Sequence, residues 1–398
     1  MRLLGGGSLI FSLLSVGVNS QAADTFTNVT IFTPPSNYTT PKTLYARTLL
    51  LNQNCETDNV LLSTWENYSP EPPSVYFPIY KSTNLGESWQ EISRVTDQVN
   101  GWGLRYQPFL YEMPQAIGNY SAGTILLAGN SIPTNLSNTQ IDLYASTDKG
   151  YTWNFVSHIA AGGEALPDNG LTPVWEPFIL TYNNQLVVYY SDQRDPAHGQ
   201  KLVHQTSTDL RNWAVPVDDV AYSNYTFRPG MTTVAQLPTG QYIMTYEFYG
   251  APEADFAVYY RISENPLNFN NATGQVVRAS DGVVPTSSPY IVWSEAGGPN
   301  GTIVVSSGND EAIFLNQELG NSANWTRVDT PAAQSYTRSL RVLPGQEQVL
   351  IVGGGVLNGA NNSVQATTVN IGSNSSSAGD FPPFARCEKD TYRRRRSM

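Results

Sequence analysis

Charge, cysteine and histidine are all scarce in this chain, and each shortage excludes something. Only 14% of the 398 residues are Asp, Glu, Lys or Arg, and the net charge is −11. An acidic body excludes nucleic acid as a partner, because phosphates demand a basic face. The only two cysteines, Cys55 and Cys387, stand near opposite ends. They can form at most one disulfide, which would tie the termini together in an oxidising compartment; the alternative is two unpaired thiols. The three histidines, His158, His198 and His204, show no H-E-x-x-H or similar ligand spacing, and no phosphate-cradling glycine loop is present. No metal and no cofactor are therefore expected. Helix-period patterns are hard to find, which excludes a helical fold class.

Long apolar runs are missing too, apart from Leu9–Val18 behind Met1-Arg2 and ahead of small residues at Ser20–Ala23. That run is too short to span a membrane and reads as a secretory signal peptide over residues 1–20. No membrane partner is expected, and the mature chain begins near Gln21 to Asp24. Sequons at Asn28, Asn37, Asn67, Asn119, Asn135, Asn224, Asn271, Asn300 and Asn324 fit a secreted, extracellular glycoprotein. The tail over 385–398, with Arg393–Arg396, is given no role.

What the chain has in quantity is Gly, Pro, Tyr, Trp, Asn, Ser and Thr, the composition of short strands and tight turns. Residues 172–213 read as a complete four-stranded module. WEPFIL and QLVVYYSD flank the turn Tyr182-Asn183-Asn184, a third strand covers Lys201–Ser207, and a compact turn leads to Trp213. The closing turn recurs as S-x-D/N-x-G-x-x-W at Ser82–Trp89 and Ser146–Trp153, 64 residues apart, with weaker echoes ending at Phe269 and Trp325. The Asp or Asn caps its own turn, Gly supplies positive φ, and the ring fills the space between sheets. These turns resemble the Asp-boxes of sialidase-like β-propellers. Length alone suggests two or three domains, but the repeat predicts one all-β domain over 21–384, a six-bladed β-propeller. Inner strands are expected at Ala46–Leu49, Tyr106–Phe109, Trp175–Phe178, Phe227–Gly230, Ser287–Tyr290 and Thr337–Leu340. The sixth blade lacks a fourth strand, and Thr25–Phe32 is the natural donor, because pairing the two ends leaves no open seam.

Inner strands begin beside the axis, so that alignment brings Arg47, Gln107, Glu176, Arg228, Ser288 and Arg338 together. Burying such charges unpaired costs several kcal/mol, so the set suits a ligand better than a core. Second strands add Trp65, Glu66, Tyr190, Asp192, Tyr246 and Glu247 to the rim.

Three stretches, Gly103–Phe109 (GLRYQPF), Val174–Phe178 (VWEPF) and Met244–Phe248 (MTYEF), are similar to glycoside hydrolase family 93, secreted fungal exo-α-1,5-L-arabinanases on a six-bladed sialidase fold. The resemblance implies release of arabinobiose from linear arabinan and arabino-oligosaccharides with retention, with the catalytic glutamates on Glu176 and Glu247; a monomer is expected. A retaining pair stands about 5–5.5 Å apart. Arg228 is expected to keep Glu247 ionised as nucleophile, and Trp175 and Pro177 to keep Glu176 protonated as acid/base. Trp65, Trp102, Trp175, Tyr190 and Tyr336 are candidate sugar platforms, with packing between blades as the alternative. Arg105, Tyr106, Gln107, Tyr246 and Ser288 complete the binding set. The connections Gln90–Gly103, with Trp102, and Ser191–Gln200, with Arg194, could block one end of the funnel for exo action.

Two other readings compete. A sialidase could use Arg47, Arg228 and Arg338 on a carboxylate and Tyr336 as nucleophile, although Thr48-Leu49 follows Arg47 where that family has Ile-Pro. A lectin-like propeller would need the aromatics and arginines but not two close carboxylates.

Overall fold

The computed structural model describes residues 25–53 and 59–372. Cys55, Cys387, the leader and the arginine tail lie outside them, and so does the expected disulfide. Among the described residues, twenty-four strands form six four-stranded antiparallel sheets. After β1 (Val29–Phe32), blade one is β2 (Thr43–Leu50), β3 (Leu61–Asn67), β4 (Phe77–Ser82) and β5 (Gln90–Val95). Blade two is β6 (Leu104–Glu112), β7 (Ile125–Ser131), β8 (Thr139–Ser146) and β9 (Asn154–Gly162). Blade three is β10 (Val174–Tyr182), β11 (Gln185–Asp192), β12 (Lys201–Ser207) and β13 (Val217–Val220). Blade four is β14 (Arg228–Gln236), β15 (Tyr242–Tyr249), β16 (Ala257–Ser263) and β17 (Gln275–Val276). Blade five is β18 (Tyr290–Ser294), β19 (Thr302–Ser306), β20 (Ile313–Asn316) and β21 (Thr326–Val328). Blade six is β22 (Ser339–Val342), β23 (Gln348–Gly353) and β24 (Val364–Asn370), completed by β1.

The blade-three hairpin turns on two residues, Asn183 and Asn184, at φ 47° and 60°. Their mirror-image turn matches the right-handed strand twist, and asparagine tolerates that backbone better than most residues. In the best of the repeated turns, Asp148 Oδ1 accepts the amides of Tyr151 and Thr152 at 3.1 and 2.9 Å. The Trp153 indole donates to Gly150 O at 3.1 Å and to Ser93 Oγ, on the preceding blade, at 3.2 Å. Trp213 repeats that reach, donating to Ser157 Oγ of blade two at 3.0 Å. These two boxes therefore tie their own blades to the one before.

The ring closes as its apolar pattern requires. β1 pairs with β24, with Val29 opposite Ala366, and the amides of Phe26 and Asn28 donate to Thr368 and Thr367 hydroxyls at 2.9 Å. The expected closure by Thr25–Phe32 is thus present. Middle strands such as β7 are buried along their whole length because each blade is packed between two others. Inner strands of successive blades touch all the way round, β22 meeting β2.

Candidate active site

Four of the six inner strands break their register near the axis. The ladders slip across Leu44/Arg47, Tyr106/Phe109, Trp175/Phe178 and Gly230/Thr233. In or just ahead of each of the six strands a non-glycine residue takes positive φ: Tyr45 at 52°, Gln107 at 59°, Glu176 at 63°, Met231 at 57°, Ser288 at 39°, with Ser287 beside it at 68°, and Thr337 at 51°. Such a conformation costs about 1–3 kcal/mol at each site, so six repeats of it mark a place that the rest of the fold holds under strain. The bulge turns the backbone amide sideways, and at five of the six positions a side chain from the preceding blade receives it. Gln107 N donates to Glu66 Oε1 (3.0 Å), Glu176 N to Gln107 Oε1 (3.1 Å) and Met231 N to Glu176 Oε2 (2.7 Å). Ser288 N donates to Glu247 Oε2 (2.7 Å) and Thr337 N to Ser288 Oγ (3.1 Å).

This ring corrects the expected alignment. Gln107, Glu176 and Ser288 are equivalent, but their partners are Tyr45, Met231 and Thr337 rather than Arg47, Arg228 and Arg338. Proline explains the error: Pro108, Pro177 and Pro289 follow the bulge residue, whereas in blade four Pro229 precedes it. Blades one and six have no proline to mark the place.

The three arginines consequently do different work. Arg338 is fully buried and spends its guanidinium on the carbonyls of Ser307 (3.3 Å), Glu311 (2.8 Å) and Ala312. Burial lowers its pKa to about 10. Arg228 donates to Gln193 and Gln200 Oε1, both at 3.0 Å, and to Asn169 Oδ1, binding two loops together. Arg47 is buried against the Tyr45 ring, 3.9 Å from its centroid, and donates to Ala46 O and Thr337 Oγ1.

Several expected platforms are packing instead. Trp65 is wholly buried, 5.3 Å from the Phe32 ring and 4.8 Å from Tyr80. Tyr190 is buried and donates to Gln205, while Tyr246 is buried and shares a hydrogen bond with Tyr222. Asp192 is held by the Arg194 guanidinium at 2.6 Å, and Arg105 by Glu71 at 2.7 Å. Trp175 is buried with Ile132 and Ala165, and half-buried Tyr106 packs on the same cluster. Trp175 also donates to Gln193 Oε1 at 2.9 Å. Trp102 stays half-buried on loop 96–103, which folds around the Asp97 carboxylate. That loop and 193–200 are shorter than expected, because Gln90–Val95 and Ser191–Asp192 are strand. Tyr336 packs with Tyr45, Tyr68 and Met231.

What remains at the centre is a pair of carboxyls. Gly230 stands opposite Glu247 in the β14–β15 ladder. A Cβ on Gly230 would lie 3.5 Å from both Glu176 Oε2 and Glu247 Oε1 and 2.8 Å from Gln200 Nε2. The two oxygens are therefore no more than about 7 Å apart, a bound that admits the spacing of a retaining pair. Both glutamates are buried. Glu247 is pushed up to about 8, first by burial and then by the charge of Glu176, against the Ser288 amide and Arg228. Glu176 is also raised by burial, but the Ser191 hydroxyl (2.6 Å), the Met231 amide and the charges of Arg228 and Arg47 oppose the rise. Both carboxyls are thus held above the ordinary carboxylate range, Glu247 with fewer hydrogen bonds to oppose its burial than Glu176. Arg228 lowers both carboxyls, acting on Glu247 in the expected direction without overcoming its burial. Glu66, holding Tyr68 at 2.7 Å and the Gln107 amide, is raised by burial to about 7.

Ser191, Gly230, Met231, Gln193 and Gln200 were not among the sequence candidates. Ser191 and Gly230 had a readable signal, one being next to Asp192 on a second strand and the other being a glycine at an axial strand start. Among the described residues no cluster of three His, Cys, Asp or Glu is placed to hold a metal ion.

A propeller that brings together two buried carboxyls, both raised above their ordinary range, has the site of a sialidase-like glycoside hydrolase. No protein-family model and no curated protein matches the chain. Solved structures do. The Fusarium graminearum GH93 α-L-arabinofuranosidase bound to arabinobiose is 54% identical, with TM-score 0.84, over 87% of this chain and 98% of that one. A Penicillium chrysogenum α-L-arabinanase, also bound to arabinobiose, matches with the same identity, coverage and TM-score. The sialidase NanB from Streptococcus pneumoniae, at 10% identity and TM-score 0.56 over 86% of this chain and 70% of that one, shares the fold. The chain belongs to glycoside hydrolase family 93.

Proposed function

We propose that the protein is a secreted, monomeric, retaining exo-α-1,5-L-arabinanase that releases arabinobiose from the end of linear arabinan. The observation that carries this reading is the pair Glu176 and Glu247 facing each other across Gly230. One carboxylate attacks the anomeric carbon while the other protonates the departing oxygen, and the second then takes a proton from the water that hydrolyses the glycosyl ester. Raised pKa values keep one proton on the pair at neutral pH, which the first step requires. The exo mode is supported by loops 163–173 and 193–200, which Arg228 fastens together through Asn169, Gln193 and Gln200 beside the pair. The relatives bound to arabinobiose support the product length.

The sialidase alternative loses its support, because Arg338 is committed to backbone carbonyls. Tyr336 has its ionisation pushed well above the ordinary tyrosine range by burial and then by Glu247 and Glu176. Secretion is supported by the leader and by exposed sequon asparagines such as Asn119, Asn135 and Asn224. Asn67 is buried on β3 and is not expected to carry glycan.

The product profile on debranched arabinan tests the function. Arabinobiose from the first turnover, with polymer length falling slowly, is expected. A ladder of mixed oligomers with rapid loss of viscosity, or release of sialic acid from a sialoside, would overturn it.

A further inference from the structure

Large apolar side chains left in solvent ask for an explanation, most of all when their backbone is strained. Phe256 is 39% exposed and sits at φ 61°, a conformation that bulky residues avoid. Its ring lies 5.0 Å from that of Tyr249, itself 38% exposed, with the planes tilted by 40°. Both belong to the end of blade four that carries the carboxyl pair. Tyr249 is two residues beyond Glu247 on β15, so its side chain leaves the same face of the strand about 7 Å further toward the mouth. Arg228 stands opposite it in the ladder, as Gly230 stands opposite Glu247. Phe256 is fixed to the next blade, its carbonyl accepting the Ser287 amide at 2.8 Å, beside the Ser288 amide that caps Glu247. The two rings thus form a shelf whose backbone is anchored to the residues that hold Glu247, and whose outer surface is open.

We propose that Tyr249 and Phe256 form an accessory sugar platform on the lip between blades four and five, stacking furanose residues of the polymer beyond the bond being cleaved. The proposal rests on the arabinanase reading and deepens it. Flat rings present apolar faces to the C–H faces of sugars, and a pair already held at contact distance loses little freedom on binding. Continuity with the Glu247 strand face selects the polysaccharide as occupant over a protein partner.

The test compares arabinotriose with long linear arabino-oligosaccharides for wild type, Tyr249→Leu, Phe256→Leu and the double variant, with melting temperature and sedimentation measured alongside. The ratio of kcat/KM on long to that on short substrate should fall roughly tenfold in the double variant, through KM, and Tyr249→Phe should restore the Tyr249 share. Equal loss on both substrates, or an unmoved ratio in variants that stay folded, would overturn the platform while leaving the arabinanase reading in place. So would self-association of wild type that the variants abolish, because the patch would then be a protein contact. Wild type that cleaves neither substrate would sink the parent reading and the platform together.

Discussion

Gly230→Ala isolates the space between the carboxyls. The added methyl falls 3.5 Å from Glu176 Oε2 and from Glu247 Oε1, ordinary contact distances, but 2.8 Å from Gln200 Nε2, where no carbon fits. Gln200 must move, and it holds the Pro229 carbonyl at 2.8 Å and the Arg228 guanidinium at 3.0 Å. Overpacking of this kind costs about 1–3 kcal/mol, which for a chain of this size is a melting temperature lower by roughly 1–4 °C. The loss of turnover should be far larger than the loss of stability. The methyl narrows the space between the two carboxyls from the Gly230 side, so a sugar seated there must move outward, and a displacement of about 1 Å is enough for a hundredfold loss in kcat/KM. Calorimetry and steady-state kinetics on an aryl arabinobioside separate the two effects. Adding Gln200→Ala relieves the clash and should recover much of the melting temperature without recovering turnover. Near-wild-type kcat/KM in Gly230→Ala, or recovery of activity in step with stability, would refute the placement of the reacting carbon between Glu176 and Glu247.

Other expectations follow from the same geometry. Glu247 has its pKa raised to about 8, so its protonated form favours the folded state below the unfolded value, and that contribution is lost as pH rises through 8. Glu247→Gln, a neutral isostere, should therefore melt higher than wild type at pH 8, with the difference shrinking toward pH 4.5, while turnover disappears. Wild-type kcat/KM should fall on the alkaline side as the pair loses its shared proton near pH 8; a flat profile through pH 9 would contradict this. Arg338→Ala should cost about 3–5 kcal/mol in denaturant unfolding, because three buried carbonyls lose their donor, and should leave the KM of any soluble enzyme unchanged. A change confined to KM would place Arg338 back in the funnel. Asp148→Ala should cost about 0.5–1.5 kcal/mol through the lost hydrogen bonds to its exposed turn amides, with kcat/KM intact.

The fold was largely legible because its signals are local. An Asp or Asn that caps its own turn, a tryptophan that reaches the preceding blade and a two-asparagine hairpin act within a few residues, and their spacing counts the blades. Closure by Thr25–Phe32 followed from the missing fourth strand. The site was legible where its residues carry the chemistry in their own type, as Glu176, Glu247 and Gln107 do. It was not legible where position depends on a bulge. A slip of one to three residues in blades one, four and six replaces Tyr45, Met231 and Thr337 by arginines, and nothing in the alternation of apolar residues marks the slip. Burial decided the aromatics: Trp65, Tyr190 and Tyr246 occupy the seams between sheets, while Tyr249 and Phe256, which are exposed, carry no motif. The electrostatic environment of the glutamates was not legible for a related reason. It depends on the Met231 amide and the Ser191 hydroxyl, which the bulge and the blade packing deliver, and Arg228 contributes to both carboxyls.

The most direct test of the account is chemical rescue of Glu176→Ala and Glu247→Ala by azide, with an activated aryl arabinobioside as substrate and NMR assignment of the arabinobiosyl azide formed. Both variants should lose turnover without azide. With azide, the variant lacking the nucleophile should give the inverted product, since azide attacks the substrate directly. The variant lacking the acid/base should give the retained product, since azide then attacks the glycosyl-enzyme. Opposite configurations from the two variants are the predicted result. The same configuration from both, or substantial turnover by either without azide, would contradict a double displacement shared between Glu176 and Glu247.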